Sequence, residues 1–203
     1  MHKKICILDY GLGNIKSLEN ALNKIGYNPV LYSANQHKSF DLIFIPGVGS
    51  YNKASELLLN EKYLNFLNKI NEKSKIFGIC LGMQIFSSEG YENGRSQGLD
   101  YIKGQTKKIK INNQNNVLPF VGYFDVNFKI NENYLKKFDN SKFYFVHSYE
   151  FVPINNANIM STTTNQGITY CSSVFKDRFI GTQFHPEKSG NDGLLMIQNF
   201  LTL

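Results

Sequence analysis

The segment Lys75-Ile-Phe-Gly-Ile-Cys-Leu-Gly-Met-Gln84 decides how this chain folds. Its apolar first half predicts a buried strand, and the residues that follow predict the start of a helix. Because Gly78 and Gly82 flank Cys80, the chain can turn tightly and present the cysteine, as in a nucleophile elbow. Backbone N–H groups at the start of a helix favour the thiolate. The motif alone leaves a second interpretation open, a buried structural cysteine in a glycine-bounded turn.

The same order of strand, turn and helix occurs twice before this segment. Residues 5–8 are an apolar run, and apolar residues at helical spacing follow between 15 and 25. Residues 42–45 are a second apolar run, followed by a predicted turn at 46–49 and a predicted helix over 57–70. Strands that alternate with helices of this length predict βαβ crossovers, and therefore an α/β fold with a doubly wound, mostly parallel sheet.

Beyond about residue 105 the pattern changes to short alternating or aromatic segments. They are residues 108–111, 121–128, 143–151 and 174–184. These segments predict antiparallel strands added to the sheet in the C-terminal half. Residues 193–201 have the spacing of a closing amphipathic helix. Since no shift in composition marks a boundary, we expect residues 1–203 to form a single domain.

The composition excludes several classes of protein. Of the 203 residues, 42% are hydrophobic and 19% charged, which is typical of a globular domain and not of a disordered chain. There is no apolar run of the roughly 20 residues that a membrane span needs. The net charge of +6 would suit an acidic partner, but only two residues are arginine and the lysines are spread thinly. We therefore expect neither nucleic acid nor a membrane as partner.

The cysteines and glycines also exclude several kinds of site. Cys6, Cys80 and Cys171 have no short paired spacing, so neither a zinc site nor a disulfide framework is expected. A reduced, cytoplasmic location suits them, and we expect no export signal in the first residues. The pair Gly11-Leu12-Gly13 has Lys16 where a dinucleotide fingerprint has its third glycine. We therefore expect no metal and no cofactor.

A thiolate nucleophile needs a proton carrier, and the candidates are His2, His37, His147 and His185. The first two lie in terminal or polar sequence and are expected at the surface. His185 ends the strand-like run 179–184 and is followed by Pro186 and Glu187. Because residues i and i+2 of an extended chain share one side, Glu187 can orient the imidazole. With Cys80 they predict a Cys-His-Glu triad; taken alone, His-Pro-Glu is equally typical of a surface turn.

A covalent acyl mechanism also needs N–H groups that bind an oxyanion. Pro46-Gly-Val-Gly49 follows a buried parallel strand, so it lies at the carboxyl edge of the sheet, where Cys80 also emerges. The amides of Gly49 and Leu81 are the expected donors. By itself, the glycine-rich segment is equally consistent with a plain tight turn.

Together these segments resemble the class I, triad-type glutamine amidotransferases, and the resemblance extends along nearly the whole chain. Within that class they are most similar to the glutaminase subunits of imidazole glycerol phosphate synthases. The segments that carry the resemblance are Asp9-Tyr-Gly-Leu-Gly-Asn14, Pro46-Gly-Val-Gly49, Gly78-Ile-Cys-Leu-Gly-Met-Gln84, Gly90-Tyr-Glu92, Tyr144-Phe-Val-His-Ser-Tyr149 and Gln183-Phe-His-Pro-Glu-Lys-Ser-Gly190.

The resemblance implies a reaction as well as a fold. Cys80 would attack the side-chain carboxamide of L-glutamine, and His185, oriented by Glu187, would protonate the departing ammonia. The amides of Gly49 and Leu81 would hold the oxyanion, and water would then release glutamate. The positions that match glutamine-binding residues are Gly49, Gln84, Glu92, Ser148 and Tyr149.

The resemblance also implies a partner. Members of the family pass ammonia to a (β/α)₈ barrel cyclase subunit, which makes imidazole glycerol phosphate in histidine biosynthesis. A barrel of about 250 residues cannot fit in what remains of this chain, so the cyclase would be a separate subunit in a heterodimer. The positions that match the partner interface are Pro119, Phe120, Tyr123, Tyr144 and Lys188.

One segment departs from the family. Members usually have Pro-His-x-Gly-Trp-Asn at the partner-facing loop, and this chain has Pro119-Phe-Val-Gly-Tyr-Phe124. The departure leaves open a paralogous subunit that supplies ammonia for the amidination of a surface sugar. Two further alternatives are a cysteine hydrolase with a similar elbow and a degenerate, non-enzymatic partner subunit. The presence of Cys80, His185 and Glu187 argues against degeneration.

Overall fold

The computed structural model describes residues 3–32, 39–111, 116–129, 135, 138 and 141–202. The expectations for His2 and His37 lie outside these residues. The helices are α1 (Ile15–Lys24), α2 (Tyr51–Leu58), α3 (Glu61–Lys69), α4 (Leu81–Gln84) and α5 (Gly190–Thr202). None of the helices in the described ranges is long and apolar enough to cross a membrane.

The strands are short and lie throughout the chain. The first seven are β1 (Ile5–Leu8), β2 (Val30–Tyr32), β3 (Leu42–Gly47), β4 (Lys75–Cys80), β5 (Glu89–Gly90), β6 (Ser96–Gln97) and β7 (Gly104–Lys108). The others are β8 (Phe120–Asp125), β9 (Asn127–Phe128), β10 (Lys142–His147), β11 (Tyr149–Pro153), β12 (Ile159–Asn165), β13 (Ile168–Lys176) and β14 (Phe179–Thr182). Single 3-10 turns cover Asn156–Asn158 and Pro186–Lys188.

An eight-stranded sheet forms the centre of the molecule, in the order β2-β1-β3-β4-β14-β13-β12-β9. The first five strands of that order run parallel to one another. The remaining three pairs are antiparallel. This confirms the predicted α/β fold, in which antiparallel strands from the C-terminal half extend a parallel sheet.

Both faces of the parallel strands are buried. Along β1, Ile5 and Ile7 pack into one core, while Cys6 and Leu8 pack into a second core on the opposite face. Residues of α1 and α5 belong to the first core, and residues of α2 and α3 belong to the second. Because helices cover both faces, the strand sequences are continuous apolar runs rather than alternating ones.

Two smaller sheets stand beside the main one. β8 and β10 form an antiparallel pair, and β11, β7, β5 and β6 form a four-stranded sheet. Since only Ser148 separates β10 from β11, the chain passes directly from one small sheet to the other. That crossing point contributes to the pocket described below.

Two local expectations are wrong. The helix predicted over 57–70 is two helices, because the chain breaks at Asn60, whose side chain caps α3 by accepting the Lys62 N–H at 3.2 Å. The turn predicted at 46–49 begins later than expected. β3 continues through Gly47, and its last residues pair with the end of β4. The oxyanion segment is therefore partly a strand.

Candidate active site

The elbow forms where β4 ends and α4 begins. Cys80 has φ 55° and ψ −110°, which few residues other than glycine adopt. A Cβ atom on Gly82 would collide with the Ile45 carbonyl of the neighbouring strand, and one on Gly78 would collide with the backbone of Gly82. Both glycines of the motif are therefore required by close packing. Since α4 is a single turn, its dipole is weak, and its contribution is the N–H of Leu81, which has no partner within the helix.

The adjacent strand brings the histidine to the same edge of the sheet. β14 runs parallel to β4, with Thr182 paired to Ile79, so the residues after β14 lie beside the elbow. His185 Nδ1 is 2.8 Å from Glu187 Oε1, and both side chains are at most 3% exposed. The other ring nitrogen, Nε2, is buried and has no hydrogen-bond partner among the described residues. A distance of 2.8 Å would allow Glu187 to orient the imidazole of His185.

Burial and neighbouring charge act on His185 in opposite directions. Burial lowers the pKa of His185, because the charged ring loses its hydration. Negative charge on Cys80 and on Glu187 outweighs burial and raises that pKa from 6.5 to about 10. The site therefore favours the protonated form of His185.

A pocket of about 230 Å³ opens at Cys80. It is lined by Gly49, Cys80, Leu81, Gln84, Glu92, Pro119, Val146, His147, Ser148 and Tyr149. The structure thus brings together the sequence-predicted nucleophile, both oxyanion candidates and all five glutamine-binding candidates. His185 and Glu187 are buried outside the lining. A cavity of this size suits a small polar substrate better than a long acyl chain.

Hydrogen bonds hold two of the candidate binding side chains in place. Glu92 Oε2 accepts the backbone N–H of Tyr51 at 2.7 Å, which fixes Glu92 at the start of α2. Gln84 Nε2 donates to the carbonyl of Tyr149 at 3.0 Å. Gly49 has φ 111°, a conformation that favours glycine. The pocket wall is therefore shaped by the protein's own contacts.

His147 lines the pocket, although the sequence predicted no role for it there. Its Nδ1 lies 2.9 Å from the carbonyl of Tyr149, and because a carbonyl only accepts, Nδ1 carries the proton. Nε2 is then a buried lone pair with no hydrogen-bond partner in the part of the chain that the structure describes. Burial lowers the pKa of His147 to about 4, and the positive charge of His185 contributes to that lowering. The sequence signal that could have indicated a buried His147 was the alternation along β10, in which every second residue is buried.

Gln183 was also missed. It is fully buried where β14 ends, and its Nε2 donates to the sulfur of Cys80 at 3.5 Å. Its Oε1 accepts from Gln84 Nε2 at 2.9 Å. The signal in the sequence was a polar residue between the apolar strand and His185.

The structure corrects one of the five predicted interface residues. Phe120 is 1% exposed and packs in the core beside His147, so it cannot contact a partner. Tyr123 is 55% exposed, and its hydroxyl donates to the carbonyl of Lys188 at 3.0 Å. The Lys188 ammonium lies 5.8 Å from the centre of the Tyr144 ring. Three of the five predicted residues therefore form one cluster at the surface, while Pro119 lines the pocket.

The other two cysteines take no part in the site. Cys6 and Cys171 are buried free thiols, and burial raises the pKa of each to about 12. Among the described residues, no three His, Cys, Asp or Glu side chains are close enough to hold a metal ion.

The sequence is similar to known proteins over almost its full length. Residues 6–203 match the family described as glutamine amidotransferase class-I. The chain is 40% identical over 202 residues to the imidazole glycerol phosphate synthase subunit HisH of Buchnera aphidicola, covering 98% of this chain and 99% of that protein. It is 37% identical to the subunit HisH 2 of Methanococcus maripaludis, covering 97% and 98%.

The fold is also similar to that of solved structures. The structure of PurLQS from Thermotoga maritima superposes with a TM-score of 0.74 at 19% identity, covering 100% of this chain and 99% of that one. The crystal structure of a glutamine amidotransferase superposes with a TM-score of 0.71 at 16% identity, covering 98% and 97%. At these identities the likeness concerns the fold alone.

Proposed function

The chain belongs to the class I glutamine amidotransferases and, within them, to the family of imidazole glycerol phosphate synthase HisH subunits, and from that premise we propose how it acts. It hydrolyses L-glutamine to glutamate and ammonia as the glutaminase subunit of the synthase, in histidine biosynthesis. The observation that carries the mechanism is the buried pair of His185 and Glu187, 2.8 Å apart, beside the strained Cys80.

In the first half of the reaction the enzyme is acylated. The Cys80 thiolate attacks the carbonyl carbon of the substrate carboxamide, forming a C–S bond, and the carbonyl oxygen becomes an oxyanion. The N–H groups of Gly49 and Leu81, both at the pocket, stabilise its charge by donating hydrogen bonds. When the C–N bond breaks, the imidazolium of His185 gives its proton to the nitrogen, and ammonia leaves.

In the second half water hydrolyses the thioester. His185, now neutral, takes a proton from water as the hydroxide adds to the acyl carbon. The C–S bond breaks, glutamate leaves, and the thiolate and imidazolium are restored. Glu187 keeps Nδ1 of the ring protonated throughout, so that Nε2 is the nitrogen that exchanges protons.

The pocket supports a small zwitterion as the substrate. Glu92 brings a carboxylate that suits the α-ammonium group, and Ser148 with Tyr149 lies at the junction of β10 and β11, where the backbone end of glutamine is held. Both N–H groups of the Gln84 side-chain amide donate to protein oxygens. The side chain can therefore offer the substrate only its oxygen, which accepts a hydrogen bond.

We further propose that ammonia passes to a separate (β/α)₈ cyclase subunit. The relatives named above carry the name of a synthase subunit, which supports the histidine-pathway partner over the sugar-amidinating one. On this chain the partner would contact the surface cluster of Tyr123, Tyr144 and Lys188. Because Lys188 follows Glu187 directly, this cluster is connected to the catalytic histidine through the main chain.

The test is glutamine turnover by the purified chain, alone and mixed with the histidine-pathway cyclase of the same organism. We expect low activity alone, strong stimulation by the cyclase with its nucleotide substrate, and formation of imidazole glycerol phosphate. The variant Cys80→Ser should abolish turnover in both conditions while still forming the complex, because it removes the thiolate and little volume.

Two results would contradict the proposal. Turnover retained by Cys80→Ser would show that the nucleophile is wrongly assigned. Absence of both binding and stimulation by the cyclase would show that the partner is wrongly assigned, while the glutaminase chemistry of the chain would be unaffected.

A further inference from the structure

Gln183 is a buried amide directly before the catalytic histidine segment. Its side chain is fully buried, and its backbone N–H donates to the carbonyl of Ser172 at 2.8 Å on the neighbouring strand. Its position is therefore fixed from the main sheet. The acylation and hydrolysis steps derived above do not use it.

A chain of hydrogen bonds fixes which end of each amide faces its neighbour. The carbonyl of Tyr149 can only accept, so the Gln84 atom 3.0 Å away is its NH₂ group. The second hydrogen of that group points to Gln183 at 2.9 Å, which must therefore present its oxygen. The remaining end of Gln183 is its NH₂ group, 3.5 Å from the sulfur of Cys80. The direction of the whole chain follows from one backbone carbonyl.

The groups around the Cys80 sulfur suit a hydrogen-bond acceptor, and the charged group that faces it is His185. As a thiolate, Cys80 accepts the N–H of Gln183 at 3.5 Å. As a thiol, it has a long contact of 4.0 Å to the carbonyl of Val146 for its hydrogen. A donor to the charged form stabilises that form, and hydrogen bonds to ions are stronger than those between neutral groups.

We propose that Gln183 is a positioning residue, which holds the Cys80 sulfur as the ionised nucleophile and links it to the glutamine-binding residue Gln84. The inference rests on the proposed role of Cys80. When a substrate N–H donates to the free oxygen of Gln84, the amide chain is polarised in the direction that strengthens the donor at the sulfur. Binding of glutamine and readiness of the nucleophile are then coupled through one side chain.

The test measures alkylation of Cys80 by iodoacetamide against pH, which needs neither glutamine nor the partner. Gln183→Met removes the donor at similar length, and we expect the alkylation rate at pH 7 to fall about tenfold. At high pH, where the sulfur is ionised without help, the rates of variant and wild type should converge. A merely looser site would change the rate at every pH.

Two matched variants control the experiment. Thr182→Val alters the preceding residue, also buried, whose hydroxyl donates to the Phe184 carbonyl and not to the sulfur, so its pH profile should match the wild type. Cys80→Ala measures any background from the other thiols. Should Gln183→Met not fold, Gln84→Met tests the same chain, because it releases the anchored orientation of Gln183. We expect a loss in the same direction of about threefold.

The outcomes separate this inference from the proposed function. If folded Gln183→Met keeps the wild-type alkylation profile, the positioning role is wrong even where Cys80→Ser has lost glutamine turnover. A profile that is lowered equally at all pH values would also overturn it, because that result indicates altered access rather than ionisation. If Cys80→Ser retains turnover, the proposed function fails, whatever the alkylation profile shows.

Discussion

The elbow and the surface face of β8 carry the same kind of sequence signal, a short motif around glycine, but they follow different physical rules. At the elbow, each glycine of Gly78-x-Cys80-x-Gly82 is required by backbone atoms packed against it. On β8, the side chains of Val121 and Tyr123 are more than half exposed. Buried backbone geometry therefore explains why the elbow keeps the pattern of its class. In the 119–124 segment, exposure explains only the departure at Tyr123, because Phe120 is buried.

The elbow and the exposed face of β8 also contribute different parts of the proposed function. In the proposed mechanism, acylation and hydrolysis use the groups at the elbow and the end of β14, together with the N–H of Gly49 after β3. The proposed transfer of ammonia and response to a partner would depend on the exposed side, where the Tyr123 hydroxyl donates to the carbonyl of Lys188, the residue after Glu187. Substitutions at the elbow should consequently affect folding and chemistry together, and substitutions on β8 should affect the partner alone.

The largest effect is expected from Gly82→Ala. The added Cβ would collide with the Ile45 carbonyl within the main sheet, and neither backbone can move without breaking the pairing of β3 with β4. We expect the free energy of unfolding to fall by about 3 kcal/mol or more, measured by urea denaturation. Glutamine turnover should be lost in parallel.

The control for that substitution is Gly167→Asn, in the turn between β12 and β13. Gly167 has φ 76° and open space around it, and asparagine tolerates this conformation. Its cost should stay below about 1 kcal/mol. A similarly small loss of unfolding free energy for Gly82→Ala would show that close packing does not hold the elbow. The elbow and the exposed face of β8 would then not differ in this respect.

The next effect concerns acid and the buried His147. Its pKa is 6.5 when unfolded and about 4 when folded, so between these values the unfolded chain binds a proton that the folded chain does not. This contribution to stability is therefore complete above pH 6.5 and is lost progressively as the pH falls to 4. The loss integrates to about 3 kcal/mol.

The measurement compares the wild type with His147→Asn, which retains a donor for the Tyr149 carbonyl but does not titrate. Unfolding free energies are determined between pH 7 and pH 4, a range in which other groups, including His185 of the unfolded chain, titrate in both the wild type and the variant. The difference in unfolding free energy between the wild type and the variant should decrease by up to about 3 kcal/mol as the pH falls across this range. A constant difference would show that His147 is not buried as a neutral ring.

Much of the site could be predicted because its signals are contiguous in the sequence. The strand before Cys80, the two glycines and the His-Pro-Glu segment each specify their local geometry. The parallel sheet then brings their ends to one edge, so the pocket follows from topology. Gln183 could not be found in this way, because its hydrogen-bond partner Gln84 is 99 residues distant and any polar residue at a strand end gives the same pattern.

The prediction for Phe120 failed for a reason that the sequence contains. Treated as one motif, the 119–124 segment places Phe120 and Tyr123 together at the interface. On a strand, however, residues three apart point to opposite faces, so when one face packs on the core only one of the two is exposed. β8 buries Phe120 and exposes Val121 and Tyr123. Resemblance to a family identified the segment, and strand alternation decides which of its side chains can meet a partner.

The smallest effect on the chain itself is expected from Val121→Asp. Val121 is 54% exposed on β8 and does not line the pocket. The free energy of unfolding should therefore change by less than about 0.5 kcal/mol, and the basal turnover by less than about twofold. A charge placed without a partner at the centre of an interface is costly, and we expect the cyclase concentration for half-maximal stimulation to rise about tenfold or more. Ile154→Asp, at an exposed apolar residue beyond β11, is the matched control and should leave that concentration unchanged. Equal effects of the two variants would show that the partner does not bind at β8. The partner-binding region would then have to lie on another exposed surface of the chain.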